Sequence, residues 1–343
     1  MRTCLLSIVL WCAAGCSPSA TAHDCPEGTV EDPATGVCGE CVTGVPGECP
    51  DGYFCRFDGE CAPGCEGDAD CGGGDVCCDG ACVDTSSDPG SCGACGRSCA
   101  ANEGCCDGEC TSFVALSDCG ACGNTCDDGE FCDGTQCYAP TYPNFCANDS
   151  VYVIYDGIAA DDHAADVMAS TITANCPSSV MLRTASQTDP TLVDQTTGQP
   201  LGGGGVTYVL GGGPFPNRPL RWLERTEQLT PIYFEADGVS YYWRKRSDAT
   251  AVATLAGTAC SAHNDQFITE LVTDPASGTL SLVGYGACPG GAGTLAAAWH
   301  YANILLPNRA DYPDSWYVFG WTDTNNNSTA DAADTFTVLA HGT

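Results

Sequence analysis

The residues best suited to chemistry lie near the end of the sequence, in Asp323-x-Asn325-x-Asn327-Ser328-Thr329-x-Asp331-x-x-Asp334. Side-chain oxygens fall at positions 1, 3, 5, 9 and 12 of this stretch, and position 7 offers the Thr329 carbonyl. That is the spacing by which a loop wraps a hard, seven-coordinate cation. Asp323, Asn325, Asn327, Thr329, Asp331 and Asp334 are therefore the expected ligands of a structural calcium ion. Ser328 stands where glycine is usual and Asp334 where a bidentate glutamate is usual. Both departures place the expected affinity near the 10⁻⁴–10⁻³ M range of extracellular modules, on the order of a millimolar. The flanks read as strands, so the ion would staple the fold and not open a pair of helices. The plain alternative is a solvated Asn/Asp turn.

Other chemistries find less support. Asp161-Asp162-His163 could hold a metal or exchange protons, but acids at that place read better as a helix start with an N-cap aspartate. Gly202–Gly205 and Gly211–Gly213 match neither phosphate-cradling pattern, and flexible connections are the simpler expectation. No histidine sits in H-E-x-x-H and no serine in G-x-S-x-G. A scattered triad would leave no such motif, so an enzyme is disfavoured without being excluded.

The formal charge of −33, with Lys245 as the one lysine, argues against nucleic-acid phosphates and anionic lipid headgroups as partners. The 29 cysteines argue against the cytosol, which keeps thiols reduced. Met1-Arg2, the apolar run Leu5–Trp11 and the small residues Ala13-Ala14-Gly15 describe a signal peptide over residues 1–15, too short for a membrane span. Ala13-Ala14-Gly15-Cys16 resembles the lipobox of bacterial lipoproteins, although Ala13 replaces the usual leucine. The resemblance implies a lipidated Cys16 followed by a short linker over residues 16–24, with membrane contact only through that lipid anchor. A plain signal cut near Ala20 or Ala22 is the alternative, and either reading gives export.

Setting aside Cys4, Cys12 and Cys16 leaves 26 cysteines, of which 23 lie between Cys25 and Cys146. Dense, even cysteines in an exported chain read as disulfides. The C-x-x-C pairs at Cys38, Cys92 and Cys119 have zinc-knuckle spacing, but no paired histidines accompany them. Residues 25–137 hold few large apolar groups, so crosslinks must supply their order. Within them a repeat is visible. Cys77-Cys78-Asp79-Gly80-Ala81-Cys82 precedes Cys92-Gly-Ala-Cys95-Gly-Arg-Ser-Cys99, and the pattern returns 28 residues later at Cys105. Each Asp-Gly step suits a tight turn with φ > 0. This CC-D-G-x-C…C-G-x-C-G-x-x-C pattern resembles the stigma-specific cysteine-rich protein family, and similar repeats resemble those of myxobacteria-like surface proteins. The resemblance spans about residues 71–137 and implies an extracellular module without enzymatic activity.

A proline-marked linker is expected over residues 138–146, then a folded domain over 147–343. Strands are expected at Val151–Tyr155, Val180–Leu182, Val206–Leu210, Phe267–Thr273, Thr279–Tyr285, Trp316–Trp321 and Phe336–Leu339. Helices are expected from Asp161 to about Cys176, at Arg221–Arg225 and over Thr294–Leu306. The fold class is thus small disulfide-rich repeats with little regular secondary structure, followed by an α/β layered domain. Cys146 and Cys176 fall at one end of a strand–helix unit, and Cys260 and Cys288 flank a hairpin, so each pair is positioned to bridge. Asp156-Gly157 with its Asp- and Ala-rich helix, Val209–Pro214, Gly284-Tyr285-Gly286, Gly293–Ala298 and Gly320–Asp323 together resemble archaeal S-layer proteins. That likeness implies a structural domain of the outer surface.

The expected protein is an exported surface lipoprotein, a disulfide-laced stalk presenting a calcium-stabilised α/β domain for structural, adhesive or binding work. Its partners would be cell-surface molecules or further copies of itself, and not nucleic acid. The alternative is a surface or secreted hydrolase of glycans or peptides with the cysteine-rich region as spacer.

Overall fold

Cysteine, glycine and aspartate leave the first part of the chain almost nothing apolar to bury, and its order comes from crosslinked hairpins. A computed structural model describes residues 29–31, 38–42, 49–56 and 59–343. The expected signal peptide, Cys16 and the 16–24 linker lie outside them. The chain divides into two compact units between Arg97 and Ser98.

In the first unit, Tyr53–Cys55 pairs with Cys61–Pro63 and Val76–Cys78 with Ala81–Val83. Cys41–Cys55, Cys49–Cys61, Cys65–Cys77, Cys71–Cys82 and Cys78–Cys95 are bridged. The second unit opens on the same device: Glu103–Cys106 pairs with Glu109–Ser112, and Phe131–Cys132 with Cys137–Tyr138. Cys71–Cys82, Cys99–Cys110 and Cys126–Cys137 each span 11 residues, so the repeat read in sequence is a repeat of crosslinks. The turns follow the expected chemistry. Asp79 and Gly80 have φ of 49° and 84°, Asp107 and Gly108 of 51° and 82°, as a two-residue type I′ hairpin turn requires. Closing loops of this length constrains the unfolded chain by about 3 kcal/mol per bridge.

The rest of the second unit is a layered sheet domain. Its strands are β1 (Ser150–Tyr155), β2 (Met181–Ser186), β3 (Val206–Gly211), β4 (Ile232–Ala236), β5 (Ser240–Lys245), β6 (Ala251–Ala256), β7 (Asn264–Thr273), β8 (Leu280–Gly286), β9 (Trp316–Thr322) and β10 (Thr335–Gly342). Seven of them form one sheet in the order β2-β1-β3-β8-β7-β9-β10. The β2, β1, β3 and β8 neighbours run parallel, while β8, β7, β9 and β10 alternate antiparallel. Helices α1 (Ala159–Ser170) and α2 (Ala292–His300) cover one face, burying Ala164, Met168 and Ala297 against Val153, Leu282 and Phe319. The other face is covered by the antiparallel sheet β4-β5-β6 and the helical segment Arg218–Thr226, through Leu223, Ile232 and Trp243 on Ile268, Val283 and Val318. The small sheet was not among the expected strands, although Asp237-Gly238 between two aromatic runs is its hairpin turn, with Gly238 at φ 86°.

Three expectations change. Helix α1 is capped by Ile158, not by an aspartate. Asp162, a turn inside, instead accepts from the N–H groups of Asp156 and Gly157. The segment 138–146, expected as a linker, contributes Tyr142 and Phe145 to the core at 0% exposure. The glycine runs are sites of close approach and not loose connections. A Cβ on Gly212 would lie 2.2 Å from the Asp161 carboxyl carbon, and one on Gly204 1.7 Å from the Val114 carbonyl oxygen. Gly205 N also donates to the Cys132 carbonyl at 2.7 Å, so the last cysteine repeats dock on this glycine loop.

Between the two sheets lies Glu270 on β7, fully buried, with no hydrogen-bond partner for either carboxyl oxygen. Burial first, and the neighbouring Glu224 second, push its carboxyl well above the ordinary carboxylate value. A raised acid binds a proton in the fold that the unfolded chain releases above about pH 4.3, so this contribution is complete in acid and declines as pH rises. In thermal melts from pH 4 to pH 8, Glu270→Met is expected to flatten that decline and to raise the melting temperature at neutral pH. A variant with the same slope as the parent would contradict the assignment.

Candidate functional site

The loop that joins β9 to β10 folds back on its own side chains. Asp323 continues the sheet, its N–H donating to the His263 carbonyl at 2.9 Å, and its carboxyl is fully buried. Asp323 Oδ1 accepts from Asn327 N at 3.3 Å and Oδ2 from Ser328 N at 2.7 Å. Asn325 Oδ1 accepts from Asn327 N at 3.1 Å, and Asn327 Oδ1 from Thr329 N at 2.7 Å. The first, third and fifth positions thus all turn inward. Asn326 and Ser328 take φ of 57° and 60° to allow it.

Asp331 completes this set. Its Oδ2 accepts from the side-chain amides of Asn325 and Asn327 at 2.8 and 2.7 Å. The Asn325 and Asn327 amide N–H groups face Asp331 while their Oδ1 atoms stay on loop N–H groups, so Asp323, Asn325, Asn327 and Asp331 form one connected, hydrogen-bonded group. Asp334 is drawn elsewhere. It accepts from Trp321 Nε1 at 3.0 Å, Asp331 N at 3.0 Å and Thr324 N at 3.2 Å, which clamps the loop shut at its base. Desolvation pushes the Asp323 carboxyl up, but hydrogen bonds from His263 and the Ser328 and Asn327 amides outweigh it, leaving it below the usual range. Asn325, the Ala333 amide and Asn327 hold Asp331 low as well. Both carboxyls therefore stay ionised well into acid, as a cation site needs.

His263 has no place in the loop motif. Its Nδ1 lies 2.6 Å from Asp323 Oδ2, and its Nε2 lies 3.5 Å from Ser328 Oγ. It arrives there because β7 pairs with β9 in the register Asn264↔Thr322. The bridge Cys260–Cys288 ties the approach to β7 to the end of β8, and Cys288 N donates to Asp265 Oδ1 at 3.0 Å. Cys146 is likewise bridged to Cys176, joining the entrance of β1 to the residue that follows the α1 side of the layer. Ser328 also lines an apolar pocket of about 130 Å³ with His163, Leu295, Trp299, Trp321 and Ala330.

The C-x-x-C cysteines do not close on themselves. Cys41 is bridged to Cys55, Cys95 to Cys78, Cys119 to Cys132 and Cys122 to Cys106. Neighbouring sulfurs such as Cys65, Cys71 and Cys82 are close enough for a metal, yet all three are already in disulfides.

Residues 63–139 match the stigma-specific STIG1-like protein family. No curated protein matches the chain. The match covers the cysteine repeats and leaves the sheet domain outside it. The density of bridges marks an extracellular or secreted protein, and among the described residues no helix is long and apolar enough to cross a membrane.

A left-handed φ costs a serine roughly 1 kcal/mol that glycine escapes. Ser328→Gly is therefore expected to raise the denaturant midpoint by the equivalent of about 1 kcal/mol. A lower midpoint would show that the Ser328 hydroxyl, and not the backbone, fixes the turn.

Proposed function

We propose that the protein is an exported surface protein whose disulfide-laced region carries a calcium-stapled sheet domain with a structural, adhesive or binding role. One observation supports calcium above the rest: the turn of Asp323, Asn325 and Asn327 toward their own backbone, with Asp331 closing the same group. A loop so folded has oxygen ligands gathered before the ion arrives and loses little freedom on binding it. Residues Asp323, Asn325, Asn327 and Asp331 would supply side-chain oxygens and Thr329 its carbonyl, with Asp334 holding the loop from outside. His263 would orient Asp323, as a partner beyond the ligands commonly does. Export supplies calcium-containing surroundings and, if Cys16 is lipidated, a membrane tether.

The test is calorimetry with thermal melting. Millimolar calcium should give saturable heat and raise the melting temperature, EDTA should reverse the rise, and Asp323→Ala should abolish both responses. A calcium response unchanged in Asp323→Ala would refute the site.

A second reading, a hydrolase, rests on the line Asp323–His263–Ser328 at 2.6 and 3.5 Å beside the Trp299 and Leu295 pocket. There His263 would take the Ser328 proton and Asp323 would orient the ring. A fluorophosphonate probe distinguishes the two. The calcium reading expects no labelling of Ser328 and tighter calcium binding by Ser328→Gly. The hydrolase reading expects labelling that Ser328→Gly removes.

A further inference from the structure

The loop of residues 323–334 has a second side, and that side is apolar. A cavity of about 130 Å³ lies where α1, α2 and this loop meet. Its walls come from Val167 on α1, Leu295 and Trp299 on α2, Trp321 at the end of β9, and Thr329 and Ala330 on the loop. Trp321 and Ala330 are buried and so lie deepest, while the three helix residues are partly exposed. Phe336 stacks on one face of Trp299 at 5.4 Å, and the remainder of that side chain borders the cavity. His163, solvent-exposed, is the one ionisable side chain in the lining.

The loop is common to the cavity and to the calcium site. Thr329 would give its carbonyl to the ion, and the same residue lines the cavity. Ala330 comes next, at the bottom of the cavity, and then the ligand Asp331. Trp321 Nε1 donates to Asp334 Oδ2 at 3.0 Å, and that oxygen also accepts from Asp331 N at 3.0 Å. An ion that fixes this loop therefore fixes one wall of the cavity. Charge then selects what approaches. Neither helix nor the loop carries a lysine or arginine, whereas α1 holds Asp161, Asp162 and Asp166 and the loop holds Asp323, Asp331 and Asp334. Asp166 is exposed and lies one turn along α1 from His163. The double charge of calcium would still leave the loop negative.

We infer that this cavity takes one phenyl ring, the side chain of an aromatic residue flanked by arginine or lysine in a partner polypeptide, and that calcium gates its entry. An apolar cavity of about 150 Å³ admits benzene, so the space suits a single ring and excludes a sugar or an indole. Trp299 and Trp321 would meet that ring with their own. The flanking cations would be drawn to the acids of α1 and the loop, in a chain of formal charge −33. An aromatic anchor in a pocket with charges around it is how an interface concentrates its affinity. Linkage makes the gate reciprocal: whatever factor calcium adds to the peptide's affinity, the peptide adds to calcium's. The inference rests on the calcium reading and names the partner of its binding role.

Isothermal titration of the full chain tests this with the acetylated, amidated peptides Arg-Phe-Arg, Arg-Leu-Arg, Arg-Ala-Arg and Glu-Phe-Glu. In millimolar calcium, Arg-Phe-Arg should bind saturably at one site, about tenfold tighter than Arg-Ala-Arg, as burial of one phenyl side chain supplies. Glu-Phe-Glu should bind more weakly, and EDTA should weaken Arg-Phe-Arg about tenfold. Saturating Arg-Phe-Arg should tighten calcium by that same factor. Ala292→Leu, which fills the cavity from α2, should remove peptide binding and leave the calcium heat unchanged, and Val167→Phe makes the same test from α1. Calcium heat without binding of Arg-Phe-Arg, or with equal affinity for Arg-Leu-Arg or Arg-Ala-Arg, would overturn the inference alone. So would an affinity that EDTA or the filling variants leave unaltered. Absence of calcium heat would overturn the calcium reading and the gate with it.

Discussion

A polypeptide that cannot bury apolar surface must find its order elsewhere, and in this protein covalent bonds between sulfurs provide it. The hairpins of the repeats are two to four residues long per strand, too short to persist in water by hydrogen bonding alone. Each is held by cysteines that reach backward and forward along the chain, as Cys77 does to Cys65 and Cys78 to Cys95. That dependence sets the compartment, because such bonds survive only outside the reducing cytosol. It also decides the chemistry. Sulfurs committed to disulfides offer no thiolate to hold zinc.

The same logic carries into the sheet domain at a smaller scale. There the apolar faces of a seven-stranded sheet do the main work, and the bridges Cys146–Cys176 and Cys260–Cys288 act at its margins. The second of these sits near the segment that delivers His263 to Asp323. The last repeats are not a spacer from this domain. Phe131 is buried in its core and Cys132 accepts from Gly205 in the glycine loop.

Much of this was legible in residue order, for local reasons. Asp79-Gly80 and Asp107-Gly108 announce their turns because few other pairs adopt two positive φ angles in succession. The run Val151–Tyr155 is a strand because it is buried on both faces. The loop ligands are visible because calcium fixes their spacing along one short segment. What was hidden depends on distance in sequence. His263 lies 60 residues from Asp323, and only the β7–β9 register unites them. The helix start departs from the N-cap rule because Asp162 accepts from the preceding N–H groups from inside the helix. The small sheet is hard to read in sequence although Asp237-Gly238 marks its turn, since its strands mix aromatic and charged residues without clean alternation.

Hydrogen exchange followed by mass spectrometry, before and after mild reduction at neutral pH, tests the dependence on disulfides most directly. The amides of the paired strands Tyr53–Cys55 and Cys61–Pro63, and of Val76–Cys78 and Ala81–Val83, should lose their protection when the bridges are reduced. Those of β1, β3, β7 and β9 should keep theirs, and added zinc should restore nothing. Hairpins that stay protected without their disulfides, or regain protection with zinc, would contradict the account.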